Sequence, residues 1–255
     1  MSPVRHPRAS DRTRDAIRSE RVPKPGGGSR TLVFLDELDR RAYDAVVGAV
    51  TPYVQRALAP GVMANRARAT DGVVDLEPWQ VARRRHLRAI DSASRTRGGA
   101  AFVGDVRDCY GSITPETVER ALRRIGAPGE PAAAVVQVLR GFDARGVVGL
   151  PVGPSPSAVL ANAVLTSVDA VGARASEGIV LRWVDDVVVF TTDRRAARRA
   201  AGAFDRALGE LGLVAHDGKC AVLDDARHAV PSASRPSSSP PSAPLTGRRG
   251  MMRPP

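Results

Sequence analysis

Residues 179–192 read IVLRWVDDVVVFTT, a stretch rich in β-branched residues. Two runs of β-branched and aromatic residues, 179–184 and 187–191, are separated only by Asp185 and Asp186. Residues of these types favour β-strands, and so short a break between two such runs is typical of a hairpin. The pattern therefore predicts an antiparallel hairpin with two adjacent carboxylates at its tip.

The two carboxylates have an ordinary interpretation and a functional one. Aspartate is common in turns, so Asp185 and Asp186 can simply form the tip. Alternatively, oxygen ligands of this kind hold divalent cations, and Asp105 at the end of an earlier apolar run can supply a third carboxylate. If that run pairs beside the hairpin, two metal ions about 4 Å apart could clamp an in-line phosphoryl displacement between the carboxylates.

The segments around the hairpin alternate between strand and helix patterns. Helices are predicted to begin at Asp36, near Pro78, at Thr114, near residue 131, at Ser155 and at Asp193, and Gly126 and Gly212 end two of them. Further strands are predicted over 21–24, 31–35, 100–106 and 219–223. Such an order predicts an α+β architecture, with an antiparallel or mixed sheet, helices on one face and the other face open to a large ligand.

Composition limits the classes of function. A formal net charge of +11 over 255 residues indicates a polyanionic partner, of which nucleic acid is the first interpretation, although an arginine-biased composition alone gives the same charge. The 38 basic residues include only two lysines, Lys24 and Lys219. Two cysteines exclude a disulfide framework or a cysteine-rich zinc site. No apolar run approaches the ~20 residues of a membrane span, so we expect a cytoplasmic protein without a membrane partner.

The two ends differ from the rest of the chain. Residues 1–20 carry mixed charge without apolar periodicity, which predicts a basic flexible arm. Residues 231–255 contain seven prolines and six serines. A segment of that composition cannot bury enough apolar surface to fold, so we expect a disordered tail over 225–255.

Several segments together resemble the motifs of bacterial reverse transcriptases. Residues 105–113 (DVRDCYGSI) resemble the first palm motif, and residues 149–157 (GLPVGPSPS) resemble the second. Residues 182–186 (RWVDD) look like the Tyr-x-Asp-Asp motif, and residues 211–219 (LGLVAHDGK) look like the fourth. Residues 22–30 (VPKPGGGSR) and 38–40 (LDR) are similar to the fingers motifs of retron, group II intron and abortive-infection enzymes. The resemblance covers roughly residues 21–223.

This resemblance implies a right-hand polymerase fold. The fingers would span 21–99, and the palm would span 100–224 as a ferredoxin-like antiparallel sheet with helices on one face. A helical thumb normally follows the fourth motif in this family, but here the chain continues into the sequence rich in proline and serine. The thumb is therefore absent, supplied by a partner, or lost through a drifted reading frame.

The resemblance also implies catalytic and metal-binding roles. Asp105, Asp185 and Asp186 would bind two Mg²⁺ ions, with Mn²⁺ as an alternative, and the backbone carbonyl of Val106 would complete one coordination sphere. Lys219 would approach the pyrophosphate leaving group as a charge neutraliser or proton donor.

Substrate-binding roles follow in the same way. Lys24 and Arg30 would fold over the incoming triphosphate, with Arg40 nearby, because guanidinium and ammonium groups suit phosphate oxygens. Tyr110 would pack under the sugar and exclude a 2′-hydroxyl. The loop residues Pro151, Val152 and Gly153 would contact the template and the nascent base pair. Val152 departs from the glutamine found in many members, and Trp183 replaces the usual tyrosine.

The implied function is RNA-directed DNA synthesis from dNTPs on an RNA template, starting from a DNA or RNA primer. A cognate noncoding RNA, or a partner protein supplying a thumb, would be further partners. Two alternatives stay open: an untemplated or protein-primed defence-type polymerase, and an inactive truncated palm that only binds RNA. The three aspartates favour an active enzyme over the last alternative, whereas the missing thumb favours the inactive palm.

Overall fold

The computed structural model describes residues 17–23, 28–97 and 99–229, leaving out the side chains of 171–176. Lys24, most of the predicted arm and the predicted tail beyond residue 229 lie outside the described residues. Within them, no helix is both long and apolar enough to cross a membrane.

Eight strands, seven α-helices and a short 3₁₀ turn make up the described residues. In chain order the first are β1 (Arg18–Pro23), β2 (Ser29–Phe34), α1 (Glu37–Ala57), β3 (Ala67–Thr70), β4 (Val73–Leu76), α2 (Trp79–Thr96), β5 (Ala100–Gly104) and α3 (Cys109–Ser112). There follow α4 (Pro115–Arg124), α5 (Gly129–Asp143), α6 (Ser155–Ser176), β6 (Ile179–Trp183), β7 (Asp186–Thr191), α7 (Arg194–Leu211), β8 (Ala221–Leu223) and the 3₁₀ turn Ala226–Ala229.

The central sheet has four antiparallel strands in the order β6-β7-β5-β8. The connection from β5 to β6 includes α6, β6 and β7 form a hairpin, and α7 connects β7 to β8. This is the β-α-β-β-α-β order of a ferredoxin-like fold, and β5 lies at its centre. The α+β prediction is therefore confirmed for this part of the chain.

The main core lies between this sheet and helices α6 and α7. Phe102 of β5 and Val189 of β7 are buried there with Leu160 of α6 and Phe204 of α7, and the Phe102 and Phe204 rings meet edge to face at 5.3 Å. Alternate residues along each strand point to this face, which is why both strands present apolar side chains to the same pair of helices.

The opposite face of the sheet is also covered, so the prediction of helices on one face only is wrong. Ile90 of α2 is buried in a second core with Ala101, Val188 and Phe190 of the sheet, and the 3₁₀ turn joins it. Strands β5 and β7 are apolar on both sides, and such strands must bury both faces. Helix α2, from the region predicted as fingers, supplies part of that cover.

Local sequence signals set most helix ends. The side chains of Asp36, Thr114 and Asp193 accept hydrogen bonds from the backbone N–H three residues later, at 2.7, 3.3 and 2.8 Å. Gly212 ends α7 in the left-handed conformation, with φ of 73°. These caps confirm the predicted starts of α1, α4 and α7 and the predicted end of α7.

Other parts of the prediction need correction. The β3–β4 hairpin was not expected, although Asp71 and Gly72 form its turn with φ of 51° and 74°, as a tight hairpin turn requires. Helix α1 runs to Ala57 with Pro52 inside it. The last strand is shorter than predicted, since residues 219 and 220 precede β8.

Candidate active site

The β6–β7 turn differs by one residue from the expected hairpin tip. Trp183 pairs with Asp186, so the turn consists of Val184 and Asp185, and Asp186 is the first residue of β7. Val184 has a φ of 58°, as the first central residue of a two-residue hairpin turn requires. The two carboxylates therefore occupy different positions, one in the turn and one at the start of a strand.

Strand pairing brings Asp105 and Asp186 together. Gly104 is opposite Val187 in the register of β5 and β7, so Asp105 follows β5 beside the start of β7. The carboxyl groups of Asp105 and Asp186 lie within hydrogen-bonding reach of each other. Burial, followed by the negative charges of Asp185 and Asp105, raises the pKa of Asp186 to about 8. This concentration of negative charge is costly unless a cation compensates it.

Lys219 reaches the same carboxylates from the segment before β8. Its Nζ donates to Oδ2 of Asp105 at 3.0 Å, and the side chains are 53% and 7% exposed. The backbone supports this contact, because His216 N–H donates to the Asp105 carbonyl at 2.8 Å. The structure thus brings together Asp105, Asp186 and Lys219, three residues that the sequence singled out.

The donor chemistry of this site fits a hard divalent cation, because carboxylate oxygens are the ligands that Mg²⁺ prefers. The crowding that raises the pKa of Asp186 is also what a divalent cation would relieve. Nevertheless, no group of three or more His, Cys, Asp or Glu side chains within 17–23, 28–97 and 99–229 is arranged to hold a metal ion. Asp105 is paired with Lys219 instead.

Val106 has a backbone geometry compatible with its predicted role. The residues on either side of it bond to the segment before β8, through Arg107 N–H to Val214 O and His216 N–H to Asp105 O, both at 2.8 Å. In such an antiparallel pair the intervening residue directs its own N–H and C=O to the other side. The Val106 carbonyl therefore points away from residues 214–216, towards the side on which β7 begins.

The predicted substrate-binding residues divide into two groups. Pro151, Val152 and Gly153 lie against the β1–β2 hairpin, since Val33 N–H donates to the Val152 carbonyl at 2.9 Å. Arg30 is half-buried on β2 of that hairpin. Arg40, in contrast, forms ion pairs with Glu37 at 2.8 Å and Asp44 at 3.4 Å within its own helix. Its substrate role stays a prediction.

Tyr110 lies between the carboxylates and this loop. Its backbone carbonyl accepts from Leu150 N–H at 2.8 Å, and its half-buried ring packs against both hydrophobic cores. Burial is the main reason that the pKa of its hydroxyl is raised, with the negative charge of Asp185 adding to the shift. Its role beneath the sugar stays a prediction.

The sequence matches a known protein family over most of its length. The family model described as reverse transcriptase (RNA-dependent DNA polymerase) matches residues 22–232, which is most of the chain. This chain belongs to the reverse transcriptase family.

A solved structure supports the same fold at low sequence similarity. The reverse transcriptase chain is similar to apo telomerase from Candida tropicalis truncated from its C-terminal domain, with a TM-score of 0.53 and 11% identity. The similarity covers 81% of this chain and 49% of that one, so the chain spans about half the length of the structure it matches. No curated protein matches the sequence.

A cluster that the sequence did not predict lies beside Asp186. The ring of Trp183 lies 5.3 Å from that of His86, and the Arg83 guanidinium lies over the Trp183 ring at 5.2 Å. Burial, with the nearby positive charge of Arg83, lowers the pKa of His86 to about 4. Arg83, Arg84 and Arg85 are consecutive on α2, and the packing of that helix decides that Arg83 is the one that lies over Trp183.

The segment at Gly149 and Leu150 packs closely against the backbone of Tyr110, so stability should be sensitive to a substitution there. Gly149 has a φ of 70°, and a Cβ there would lie 2.4 Å from the Tyr110 carbonyl oxygen. Gly149→Ala is expected to lower the free energy of unfolding by at least about 3 kcal/mol, because backbone strain adds to a backbone clash. Urea denaturation measures this loss.

Gly146→Ala is the matched control. Gly146 also has a positive φ, 89°, but no atom lies within 4 Å of the position that a Cβ would occupy there. It should therefore show the strain alone, about 1 kcal/mol. Equal losses in the two variants would contradict the close approach of residue 149 to α3.

Proposed function

We propose that this reverse transcriptase chain is an RNA-directed DNA polymerase that adds dNTPs to a primer 3′ end. The main support for this proposal is that Asp105 and Asp186 lie close together at the ends of neighbouring strands, with Asp185 in the adjoining turn. In the reaction, a bond forms between the primer 3′-oxygen and the α-phosphate, and the bond between the α-phosphate and the leaving pyrophosphate breaks.

The carboxylates would hold two Mg²⁺ ions, or Mn²⁺ in their place. Asp105, Asp185 and Asp186 would be the ligands, with the Val106 carbonyl as a further oxygen. When bound, the ions supply positive charge to the attacking oxygen and to the phosphate. Positioning and charge neutralisation then account for the catalysis.

Basic side chains would bind the triphosphate. Lys219 approaches Asp105 with half of its side chain exposed, so it can turn to a pyrophosphate at the same site and neutralise or protonate it. Arg30 lies on the hairpin that contacts the 151–153 loop, so closing of that hairpin would bring Arg30, with Lys24, over the phosphates. Arg40 would assist if it exchanged its carboxylate partners for phosphate.

Tyr110 and the 151–153 loop would define the nucleotide pocket. The tyrosine ring would support the sugar, while Pro151, Val152 and Gly153 would face the template base.

Residues 21–99 would act as fingers and 100–224 as palm. An RNA template, a DNA or RNA primer and dNTPs would be the partners, with a cognate noncoding RNA or a thumb-bearing protein in addition. The motifs at 22–30 and 38–40 favour the bacterial lineages of retrons, group II introns and abortive-infection systems.

Template dependence tests the proposal. We expect the full chain with Mg²⁺ to extend oligo(dT) on poly(rA) with dTTP and to incorporate nothing when the template is omitted. Equal incorporation without template would instead indicate an untemplated polymerase, and product attached to the protein would indicate protein priming. If the chain binds RNA but incorporates no nucleotide under any of these conditions, it is an inactive palm that only binds RNA.

Arg83 gives a prediction about nucleic-acid affinity. Its guanidinium lies over the Trp183 ring at 5.2 Å, and burial lowers its pKa while the nearby Asp186 acts in the opposite direction. We expect its N–H groups to reach a backbone phosphate at the primer end. Arg83→Ala is expected to reduce the slope of log affinity against log salt by about one unit for a primer–template duplex. Fluorescence anisotropy over a salt series measures that slope.

Arg85→Ala is the control for this experiment. Arg85 is already occupied, because it donates to both Glu77 oxygens, at 2.6 and 2.7 Å, and to the Met63 carbonyl. It should lower stability and leave the salt slope unchanged. The assignment of Arg83 would be wrong if both variants changed the slope equally, or if neither did.

A further inference from the structure

The turn that carries Asp185 has an unfavourable backbone conformation. Val184 occupies its first central position with a φ of 58°. A β-branched residue rarely adopts positive φ, because its Cβ substituents crowd the backbone. Such a conformation persists only where surrounding contacts hold it, and it often marks a functional site.

Arg182 supplies the contact that holds this turn. Its side chain is 1% exposed, and its Nη1 donates to the Val184 carbonyl at 2.7 Å. The same nitrogen donates to Oδ1 of Asn162 on α6 at 2.8 Å. One buried guanidinium thus joins the strained turn to the helix that covers the sheet.

The direction of the Arg182 guanidinium is fixed by further buried partners. Asp169 accepts two hydrogen bonds from it, from Nε at 2.7 Å and from Nη2 at 3.0 Å. Asn162 in turn donates to the carbonyls of Ala64 and Asn65, both at 3.2 Å. Because guanidinium is planar, the paired Asp169 carboxylate sets where Nη1 points.

The backbone of Arg182 is held as well. Its N–H donates to the Gly61 carbonyl at 2.9 Å, and its C=O accepts from Met63 N–H at 3.0 Å. The segment from Gly61 to Met63 thereby covers the outer edge of β6. Arg182 is consequently immobilised on both its main chain and its side chain, next to a turn that needs support.

We propose that Arg182 is a positioning residue whose hydrogen bond to the Val184 carbonyl holds the turn so that Asp185 and Asp186 lie beside Asp105. This inference rests on the proposed function, since it assigns a role to those carboxylates. It differs from a purely structural role, in which Arg182 would only neutralise the buried charge of Asp169.

A charge-balanced double variant separates the two roles. Arg182→Met combined with Asp169→Leu replaces a buried ion pair by apolar side chains of similar volume, a change that proteins often tolerate. We expect it to melt near the wild-type temperature, with kcat for dTTP incorporation reduced about 100-fold and KM changed little, because misplaced catalytic groups affect the chemical step. Mn²⁺ binding followed by electron paramagnetic resonance is expected to weaken about 10-fold.

Relieving the strain should restore activity. Glycine adopts positive φ without crowding, so the turn no longer depends on the arginine when Val184→Gly is added to the double variant. We expect at least a tenfold recovery of kcat and most of the Mn²⁺ affinity. Val135→Ala, which opens a cavity in the core at α5, is the control and should lower the melting temperature without changing kcat or Mn²⁺ affinity.

Each outcome decides the inference. If the folded double variant keeps the wild-type kcat and Mn²⁺ affinity, Arg182 only balances the charge of Asp169. If adding Val184→Gly restores no activity, the effect of Arg182 does not act through the turn. If the double variant fails to fold, Arg182→Lys keeps the charge without the planar fork, and an unchanged kcat there would overturn the inference. If the wild type incorporates no nucleotide, the proposed function fails, whereas the Mn²⁺ measurements still decide the role of Arg182.

Discussion

Asp185→Asn is expected to reduce nucleotide incorporation by about 1,000-fold or more while the chain stays folded. The loss of a carboxylate that would hold the metal ions removes several kcal/mol of charge stabilisation from the transition state, and about 1.4 kcal/mol corresponds to each factor of ten. Folding should survive, because the change removes one of the negative charges that raise the pKa of Asp186. Primer extension with Mg²⁺, together with a melting curve, measures both effects.

Asp108→Asn is the matched control for that variant. Asp108 belongs to the same sequence motif as Asp105, but it is exposed and has a φ of 43°, which asparagine also adopts readily. We expect incorporation within a fewfold of wild type. Near wild-type activity in Asp185→Asn, or an equal loss in both variants, would contradict the two-metal proposal.

Tyr110→Ala is expected to convert a strong preference for dNTPs into substantial use of ribonucleotides. In the proposed pocket the ring leaves no room for a 2′-hydroxyl and offers it no hydrogen-bond partner, which disfavours the ribonucleotide by a few kcal/mol, or on the order of 100-fold or more. Alanine opens that space, with a modest loss of efficiency for dNTPs. Single-nucleotide extension with dATP and with ATP measures the selectivity of each protein.

Tyr110→Phe separates the ring from its hydroxyl. This variant keeps the volume that would exclude the ribose hydroxyl, so the preference for dATP should persist. A wild type that uses ATP as well as dATP would argue for an RNA polymerase or another nucleotidyltransferase. If Tyr110→Ala keeps the wild-type preference, the tyrosine is not the sugar gate, and Val152 in the adjoining loop becomes the residue to test.

Tyr110 is half-buried and supports its surroundings as well as the proposed pocket. Its backbone carbonyl anchors Leu150, and its ring contacts both hydrophobic cores, so the alanine variant also removes packing. Selectivity, expressed as the ratio of two efficiencies in one protein, is insensitive to a loss of folded enzyme. The ratio therefore reports on the pocket rather than on stability.

Much of the fold could be predicted because the signals were local. The Asp36, Thr114 and Asp193 caps each depend on a side chain and a backbone N–H three residues apart, and the ends at Gly212 and Gly126 depend on one residue that tolerates positive φ. The alternation of strands and helices from residue 100 onwards similarly follows from periodicity within short windows. The order of those elements then left few arrangements of the sheet.

The sequence pointed to several residues of the candidate site but did not predict the contacts between them. The sequence singled out Asp105, Asp186 and Lys219, yet the ion pair between Lys219 and Asp105 depends on how the segment before β8 lies against β5. The turn at Val184 and Asp185 likewise depends on the pairing of Trp183 with Asp186, which a shift of one residue would alter.

The sequence alone predicts most of the elements from residue 100 onwards, the caps at Asp36, Thr114 and Asp193, and three aspartates next to strands. It does not predict the β3–β4 hairpin. The folded structure adds that α2 covers the second face of the sheet, that Arg83 and not Arg85 lies over Trp183, and that buried partners orient Arg182 towards the strained turn. Caps and periodicity act within a few residues. The packing of α2 on the sheet, and the Asn162 and Asp169 side chains that orient Arg182, instead join elements that are distant in the chain, and their geometry follows from packing and strand register.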